Sequence, residues 1–421
     1  MSGSYATRFL RCETLELHSM KRSNKPGAPG PNGSVPLCVP NITGNEWLYV
    51  KECLDTNWVS SVGSFVDRFE TSVAEYVGSK YAVATINGTA ALHIALIVAG
   101  VEPEDEVLMP ALTFVAPANA VRYVGAWPVF IDSEPNYWQI DPEKIREFLQ
   151  TECHWINGNL TNRSTGRRIK ALLPVHLLGH PCDMDPIVEL AEEFSLRIIE
   201  DATETLGARY KSQIVGRHGD IACFSFNGNK AITTGGGGMI VTDNDEWAVR
   251  AQYLTTQAKD DPIEYIHNEI GYNYRLTNIQ AAMGVAQMER LEEFIEKKRF
   301  IAAQYRKGFE DLEGIGLMLA QPDTDPTYWL YTVLLDCSTR LEGRKAFVQR
   351  LNQAGFGARP LWRPLHLLPP YKDCQSFLIE NALGLYHRGV SLPSSVGLES
   401  DDQQRCIVAF RSLLETHKVL S

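Results

Sequence analysis

One lysine of this chain stands in a setting suited to covalent chemistry. Lys230 lies in Ser225-Phe-Asn-Gly-Asn-Lys230-Ala-Ile-Thr233-Thr234-Gly235-Gly-Gly-Gly238-Met239, between the apolar runs 221–226 and 239–241. An ammonium beside a buried strand is costly to desolvate, so such a lysine tends to lose its proton. A neutral amine among flexible backbone is what an aldehyde cofactor needs to form a Schiff base. The same spacing also fits a loop lysine that faces water beside a glycine-rich turn.

Three further groups fall at strand ends, where ligands of open parallel sheets bind. Asn87-Gly88-Thr89-Ala90-Ala91-Leu92 follows a strand and opens a helix. Free backbone N–H groups there suit a phosphate, with the Thr89 hydroxyl adding a bond; a plain N-cap turn reads the same way. Glu200-Asp201 closes an apolar run. A carboxylate at that point either starts a loop or pairs with a pyridinium nitrogen. Such pairing shifts a pKa by about 1–3 units, roughly 1.4–4 kcal/mol in favour of the protonated, electron-accepting ring. Phe114, in Pro110-Ala-Leu-Thr113-Phe114, either stacks on a planar ring or joins the core, the default for a phenylalanine.

Rival chemistries find less support. The chain has no G-x-x-x-x-G-K-[ST] loop and no G-x-G-x-x-G after its first strand. His176 and His180 are four apart, as in helical zinc sites, but Gly179 and Pro181 place them on a strand and turn, and no metal is expected. Gly235 to Gly238 reads as a tight turn passing close to a ligand or another chain.

These residues need a scaffold. The 421 residues suffice for a large core and two domains. A net charge of -11 argues against a nucleic-acid or anionic-membrane surface, so any anionic substrate must be held by local charge. The 9 cysteines are scattered without a C-x-x-C pair, which fits reduced cytosolic thiols. Five N-x-[ST] sequons, at Asn32, Asn41, Asn87, Asn159 and Asn162, would matter only with an export signal, and the first ten residues lack an apolar segment of that kind. A cytoplasmic protein is expected.

Residues 1–40, with their Pro/Gly-rich stretch 25–34, read as a flexible arm. Thereafter strands expected over 81–85, 106–109, 128–131, 170–177, 196–199, 221–226 and 239–242 alternate with helices over 44–54, 65–76, 89–99, 117–124 and 185–194. Such alternation implies an α/β layer sandwich with a mainly parallel sheet. A long helical stretch from Thr277 to about Leu312, allowing a kink, would bridge to a smaller α+β part.

Taken together, Ser-Phe-x-x-x-Lys with Thr-Thr-Gly, Glu-Asp-Ala-x-Glu (200–204) and Gly-Tyr-Asn-Tyr-Arg-Leu-Thr-Asn-Ile-Gln-Ala-Ala (271–282) resemble the DegT/DnrJ/StrS family of sugar aminotransferases. The resemblance runs from about Pro40 to the C-terminus. It implies the type I aspartate-aminotransferase fold, with a large α/β/α domain over 41–285 that binds pyridoxal 5′-phosphate. A bridging helix and small α+β domain would fill 286–421. By resemblance, Lys230 would bond the cofactor, which passes through a pyridoxamine 5′-phosphate form, and would serve as base and acid in turn. Asp201 would hold the ring nitrogen, Glu204 would lie near the 3-hydroxyl and Phe114 would cover the ring. Thr89, Ala90 and Ser225 would bind the phosphate. Asn273 would reach the phosphate of a neighbouring subunit, implying a homodimer with shared sites. Gly236 stands where many members carry Glu.

A narrower resemblance, carried by Asp55-Thr-Asn-Trp58-Val-Ser60-Ser61-Val-Gly63, by Ser225 to Lys230 with Gly235 to Gly238, and by Arg359-Pro-Leu-Trp-Arg-Pro-Leu-His366, points to the legionaminic acid and bacillosamine branch. That branch implies amination at C-4 of a UDP-4-keto-6-deoxy-N-acetylhexosamine with L-glutamate as donor. Arg359 and Arg363, or Arg167, Arg168 and Lys170, would supply positive charge for the diphosphate, and Ser60, Ser61 and His366 are candidates for the sugar. Other outcomes fit the same fold. One is a non-catalytic regulatory protein, another an aminotransferase for a 3-keto nucleotide sugar, and a third an amino-acid transaminase. A sugar 3-dehydratase resembles a member with histidine in place of the lysine, against which Lys230 speaks.

Overall fold

Strands that are apolar almost throughout build the middle of an eight-stranded sheet, as expected for parallel strands covered on both faces. The computed structural model describes residues 33–336 and 341–420; most of the expected arm, residues 1–32, lies outside them. After α1 (Glu46–Asp55) and α2 (Ser64–Val77), the chain runs β1 (Tyr81–Thr85), α3 (Gly88–Val98), β2 (Glu106–Pro110), α4 (Ala116–Tyr123), β3 (Trp127–Ile131) and α5 (Pro142–Thr151). A hairpin of β4 (Cys153–Ile156) and β5 (Asn159–Asn162) precedes β6 (Ile169–Leu172), α6 (Met184–Glu193) and β7 (Arg197–Asp201). The short β8 (Arg209–Tyr210) and β9 (Gln213–Ile214) lead to β10 (Ile221–Ser225), β11 (Gly238–Thr242) and α7 (Asp245–Thr255).

The strand order is β1-β11-β10-β7-β6-β2-β3, closed at the far edge by a strand from much later in the chain. Pairs β10/β7, β7/β6, β6/β2 and β2/β3 are parallel, whereas β11 is antiparallel to both β1 and β10. Alternate strand residues feed opposite faces: Ile199, Ile221 and Ile240 pack with α3, α4 and α7, while Phe224, Met239 and Val241 pack with α2. Leu108, Val129 and Ile198 join α5 and α6 on that second face. The α/β/α class with a mainly parallel sheet is therefore as expected.

Two expectations need correction. The strand foreseen over 170–177 ends at Leu172, because Pro174 lacks a ladder donor and the chain then turns through Leu178 and Gly179, both at positive φ. The long bridging helix is two helices, α8 (Asn278–Met288), started by a Thr277/Gln280 capping box, and α9 (Leu291–Phe309). They part at Arg290, whose φ of -119° is not helical.

Beyond α9, β12 (Ile315–Leu317), β14 (Thr332–Leu335), β17 (Gly389–Ser391) and β15 (Arg359–Pro360) form an antiparallel sheet in that spatial order. It packs against α9, α10 (Leu341–Gln353) and α12 (Ser400–Leu420). This later part keeps returning to the earlier one. β13 (Thr324–Asp325) pairs with β8, and β16 (Ser376–Phe377) pairs in parallel with β3 as the eighth strand. Residues 33–40 belong to the later sheet's surroundings: Val35 N–H donates to Gly355 O at 2.7 Å, and Ser394 N–H to Leu37 O at 2.7 Å.

Asp132, just after β3, pins the start of α11 (Asn381–Arg388). Its carboxylate accepts N–H bonds from Glu380, Asn381 and Ala382 at 2.9, 2.8 and 2.7 Å, and the Lys144 ammonium at 2.6 Å. Burial pushes this carboxyl up, but Lys144 and the three amides outweigh it and hold the pKa below the usual range. A depressed carboxylate stabilises the fold above its unfolded pKa and loses that contribution as pH falls through the folded one. Asp132→Asn should therefore cost about 3 kcal/mol at neutral pH. In denaturant titrations the gap to the parent protein should narrow below about pH 4.

Candidate active site

The turn after β10 carries the lysine. Phe226 N–H donates to Gly237 O at 2.9 Å, Thr234 N–H to Phe226 O at 2.9 Å, and the Thr233 hydroxyl to Phe226 O at 3.1 Å. These bonds tie residues 227–233 into a closed loop on the end of the strand. Gly237, at φ 102°, is needed for the closure, since a Cβ there would lie 2.3 Å from Thr234 Oγ1. Lys230 thus points into a cleft of about 180 Å³ at the carboxyl ends of the sheet. Its side chain is 14% exposed, with Nζ 3.5 Å from Glu204 Oε1 and 4.0 Å from the centre of the Trp329 ring.

Two buried acids face this amine. Asp201 ends β7, and burial pushes its carboxyl up against the opposing pull of Thr203 and Lys230. One of its oxygens, Oδ1, accepts the Thr203 N–H at 3.1 Å. Glu204 is raised chiefly by burial and, more weakly, by Asp201, while Lys230 and the Leu178 N–H draw it down. Leu178 delivers that N–H at 2.7 Å from a left-handed backbone conformation, φ 60°, that costs a leucine about 1–2 kcal/mol. Strain of this sort gathers where a site over-determines the chain.

The opposite end of the cleft is set by α3. Asn87 caps the helix, its Oδ1 accepting the Ala90 N–H at 2.8 Å. The amides of Gly88 and Thr89 remain without partners among the described residues. Ser225 stands beside them: a Cβ on Gly88 would lie 2.8 Å from Ser225 Cβ and 3.2 Å from its hydroxyl. Two free amides at a helix start, with the Thr89 and Ser225 hydroxyls, form an anion cradle. Phe114, half exposed, lines the wall between. An amine, a buried carboxylate and an anion cradle around one cleft match the aldehyde, ring nitrogen and phosphate of pyridoxal 5′-phosphate.

Thr89, Phe114, Asp201, Glu204, Ser225 and Lys230 therefore meet as the sequence suggests. Other candidates do not. Ala90 is buried behind the cleft, and its N–H is taken by Asn87. Ser60 and Ser61 sit in the loop between α1 and α2, where Ser60 O accepts the Asn278 N–H at 2.6 Å, away from this chain's own cleft. Arg363 is exposed outside it. His366 lies in a single 3-10 turn, its Nδ1 shielded and without a partner. Asn273 is exposed and lines no part of the cleft. Arg167 and Arg168 are committed to Glu104 and to Asp105 and Glu102. His176 uses both nitrogens, accepting from Cys182 N–H at 2.9 Å and donating to Glu200 at 3.0 Å.

Sequence reasoning missed the aromatic wall. Trp329 and Trp362 enter the cleft from the later part of the chain, beside Arg359, the one of the candidate arginines that lines it. Trp329 is held at both ends. Its indole N–H donates to Asn229 O at 2.6 Å, and its carbonyl accepts the buried Lys298 ammonium, from α9, at 3.0 Å. The visible signal was Tyr328-Trp-Leu-Tyr331, an aromatic cluster before a strand.

Comparison with known proteins gives the same picture. Residues 40–411 match the model of the DegT/DnrJ/EryC1/StrS aminotransferase family. The chain is 39% identical over 384 residues to a GDP-perosamine synthase of Caulobacter vibrioides, covering 90% of this chain and 98% of that one. It is 40% identical to EpsN of Bacillus subtilis, a putative pyridoxal phosphate-dependent aminotransferase, over 91% of this chain and 96% of the relative. Its fold superposes on Streptomyces venezuelae DesV, solved with a ketimine intermediate, with a TM-score of 0.78 at 31% identity over 88% of this chain and 94% of the other.

Lys298 also donates to Ser394 O at 2.7 Å, and no carboxylate pairs with it among the described residues. Lys298→Met keeps the length but strands both carbonyls, and a loss of about 1–3 kcal/mol in urea unfolding is expected.

Proposed function

The chain belongs to the DegT/DnrJ/EryC1/StrS aminotransferase family, whose members are pyridoxal-phosphate-dependent sugar aminotransferases, and on that premise we propose that it transfers the amino group of L-glutamate to C-4 of a UDP-4-keto-6-deoxy-N-acetylhexosamine. The product would be a UDP-4-amino-4,6-dideoxy sugar for glycans of the legionaminic acid or bacillosamine type. The observation that carries the reading is the amine of Lys230 in one buried cleft with the carboxylates of Asp201 and Glu204.

Bound pyridoxal phosphate supplies an aldehyde carbon that takes up the amine and a ring that stores the electrons of a broken C–H bond. The chain supplies the rest. Lys230 Nζ removes the proton from the donor's α-carbon and delivers it again, one group acting as base and then acid. Asp201, buried and reluctant to ionise alone, would accept a hydrogen bond from the ring nitrogen and favour its protonated form. Glu204 lies close enough to Lys230 to hold the amine in position between transfers. Gly88, Thr89 and Ser225, which line the cleft, would grip the phosphate, and Phe114 would cover the ring.

We place Asn273 at the site of a second copy of the chain, in a homodimer. Its exposure outside its own cleft supports this, as do exposed apolar side chains such as Trp47 at 79%, Ile263 at 84% and Ile270 at 86%. Sedimentation equilibrium should return twice the 47.1 kDa chain mass. A monomer at micromolar concentration would refute the arrangement.

A second reading, a GDP-linked keto sugar as acceptor, is favoured by the GDP-perosamine synthase relatives at 39–40% identity. Glutamate-dependent amination of UDP- and GDP-linked 4-keto-6-deoxy sugars, followed by NMR of the product, separates the two. Turnover of the UDP-N-acetyl substrate at C-4 is expected; amination at C-3, or of the GDP sugar alone, would overturn it. Lys230→Ala should lose the visible absorbance of the cofactor–lysine adduct and lower kcat by about 10²–10⁴-fold.

A further inference from the structure

Arg359 lines the cleft as a cation, and no carboxylate of the described residues is bonded to it. It opens β15, and its guanidinium lies over the rings of Trp362 and Trp329, 5.0 and 5.6 Å from their centres. The two indoles are nearly parallel, at 12° with centres 6.2 Å apart, and the guanidinium packs beside both. Its Nη2 is buried and has no hydrogen-bond partner among the described residues. Among the described residues the guanidinium enters no ion pair, unlike Arg275 with Glu70 or Arg168 with Asp105. Glu204 is the nearest acid that influences it, but beyond bonding reach. A desolvated N–H donor of a cation without an acceptor is costly. The missing partner therefore arrives with a substrate.

Position selects which substrate. Lys230 Nζ and the guanidinium both approach the Trp329 indole, at 4.0 and 5.6 Å from its centre, and line the same cleft as the reacting amine's acids. A carboxylate on the molecule that gives up its amine is only a few bonds from the reacting carbon. A flat guanidinium edge also matches a flat carboxylate with two parallel N–H···O bonds. We propose that Arg359 anchors the amino donor by binding a carboxylate of L-glutamate, and that it stands unpaired while the keto sugar, which has no carboxylate, occupies the cleft. This rests on the reading of glutamate as donor and deepens it.

Calorimetric titration of the cofactor-loaded protein with glutarate, a dicarboxylate with no amine to react, tests the anchor without any sugar. UDP serves as the control for diphosphate binding. In Arg359→Ala, glutarate affinity should fall at least about tenfold, UDP affinity should hold within about twofold, and Arg359→Lys should recover part of the glutarate loss. In single-turnover absorbance, the glutamate half-reaction should slow by a similar factor, while the keto-sugar half-reaction of the aminated protein should keep its rate. Unchanged glutarate binding in Arg359→Ala, absence of glutarate binding to the parent protein, or a loss confined to UDP would each overturn the proposal. If Arg359→Ala does not fold, Arg359→Gln, which keeps a planar group over the indoles, carries the same comparison. A wrong choice of acceptor sugar alters none of these binding results, so the two proposals fail separately.

Discussion

Everything in the cleft depends on keeping charge of both signs out of water within a small space. Lys230, Asp201, Glu204 and Arg359 all lie at the carboxyl edge of the sheet, and each would be expensive there alone. Their mutual influence is graded rather than paired off. Lys230 lies 3.5 Å from Glu204, Asp201 feels Lys230 without bonding it, and Arg359 feels Glu204 but forms no ion pair among the described residues. Such a set is incompletely compensated in the protein alone. A cofactor and a substrate that bring a cationic ring nitrogen and an anionic group complete it.

The large sheet and the later sheet contribute unequal parts of this balance. Strand ends β7 and β10 and the start of α3 supply the acids, the amine and the phosphate cradle. The later part supplies the aromatic wall and the arginine. Trp329 joins the two, since its indole N–H is bonded to the loop of Lys230 through Asn229, and its carbonyl to α9 through Lys298. The backbone strain at Leu178 belongs to the same junction. Gly179, next to it, packs against the amides of Tyr328 and Trp329, where a Cβ would come within 2.8 and 2.4 Å.

What was legible in the sequence follows from what local pattern can encode. Lys230, Asp201 and Thr89 each follow an apolar run at a strand end, and the topology of parallel sheets gathers such ends on one edge whatever the strand order. Contacts made across long sequence separations left no such trace. Arg359 and Trp329 are 129 and 99 residues from Lys230 along the chain, and nothing in a run of Arg359-Pro-Leu-Trp-Arg363 distinguishes the arginine that turns inward from the one that stays in water. Only the register of β15 against β17, which pairs Arg359 with Ser391, makes that choice. The helical stretch expected from Thr277, with a kink allowed, hid its full break for a similar reason. Its apolar periodicity survives the break at Arg290, because α8 and the first turns of α9 pack on one core and the later turns of α9 on another.

The way the later chain is sewn back onto the earlier one constrains motion. β16 extends the large sheet at β3, Asp132 holds the start of α11 through three amides, and β13 pairs with β8. A rigid swing of the C-terminal part about the α8–α9 junction would have to break all three attachments together. Substrates that differ as much as an amino acid and a sugar nucleotide must therefore exchange through a gate whose frame stays fixed, with side chains rather than whole layers making way.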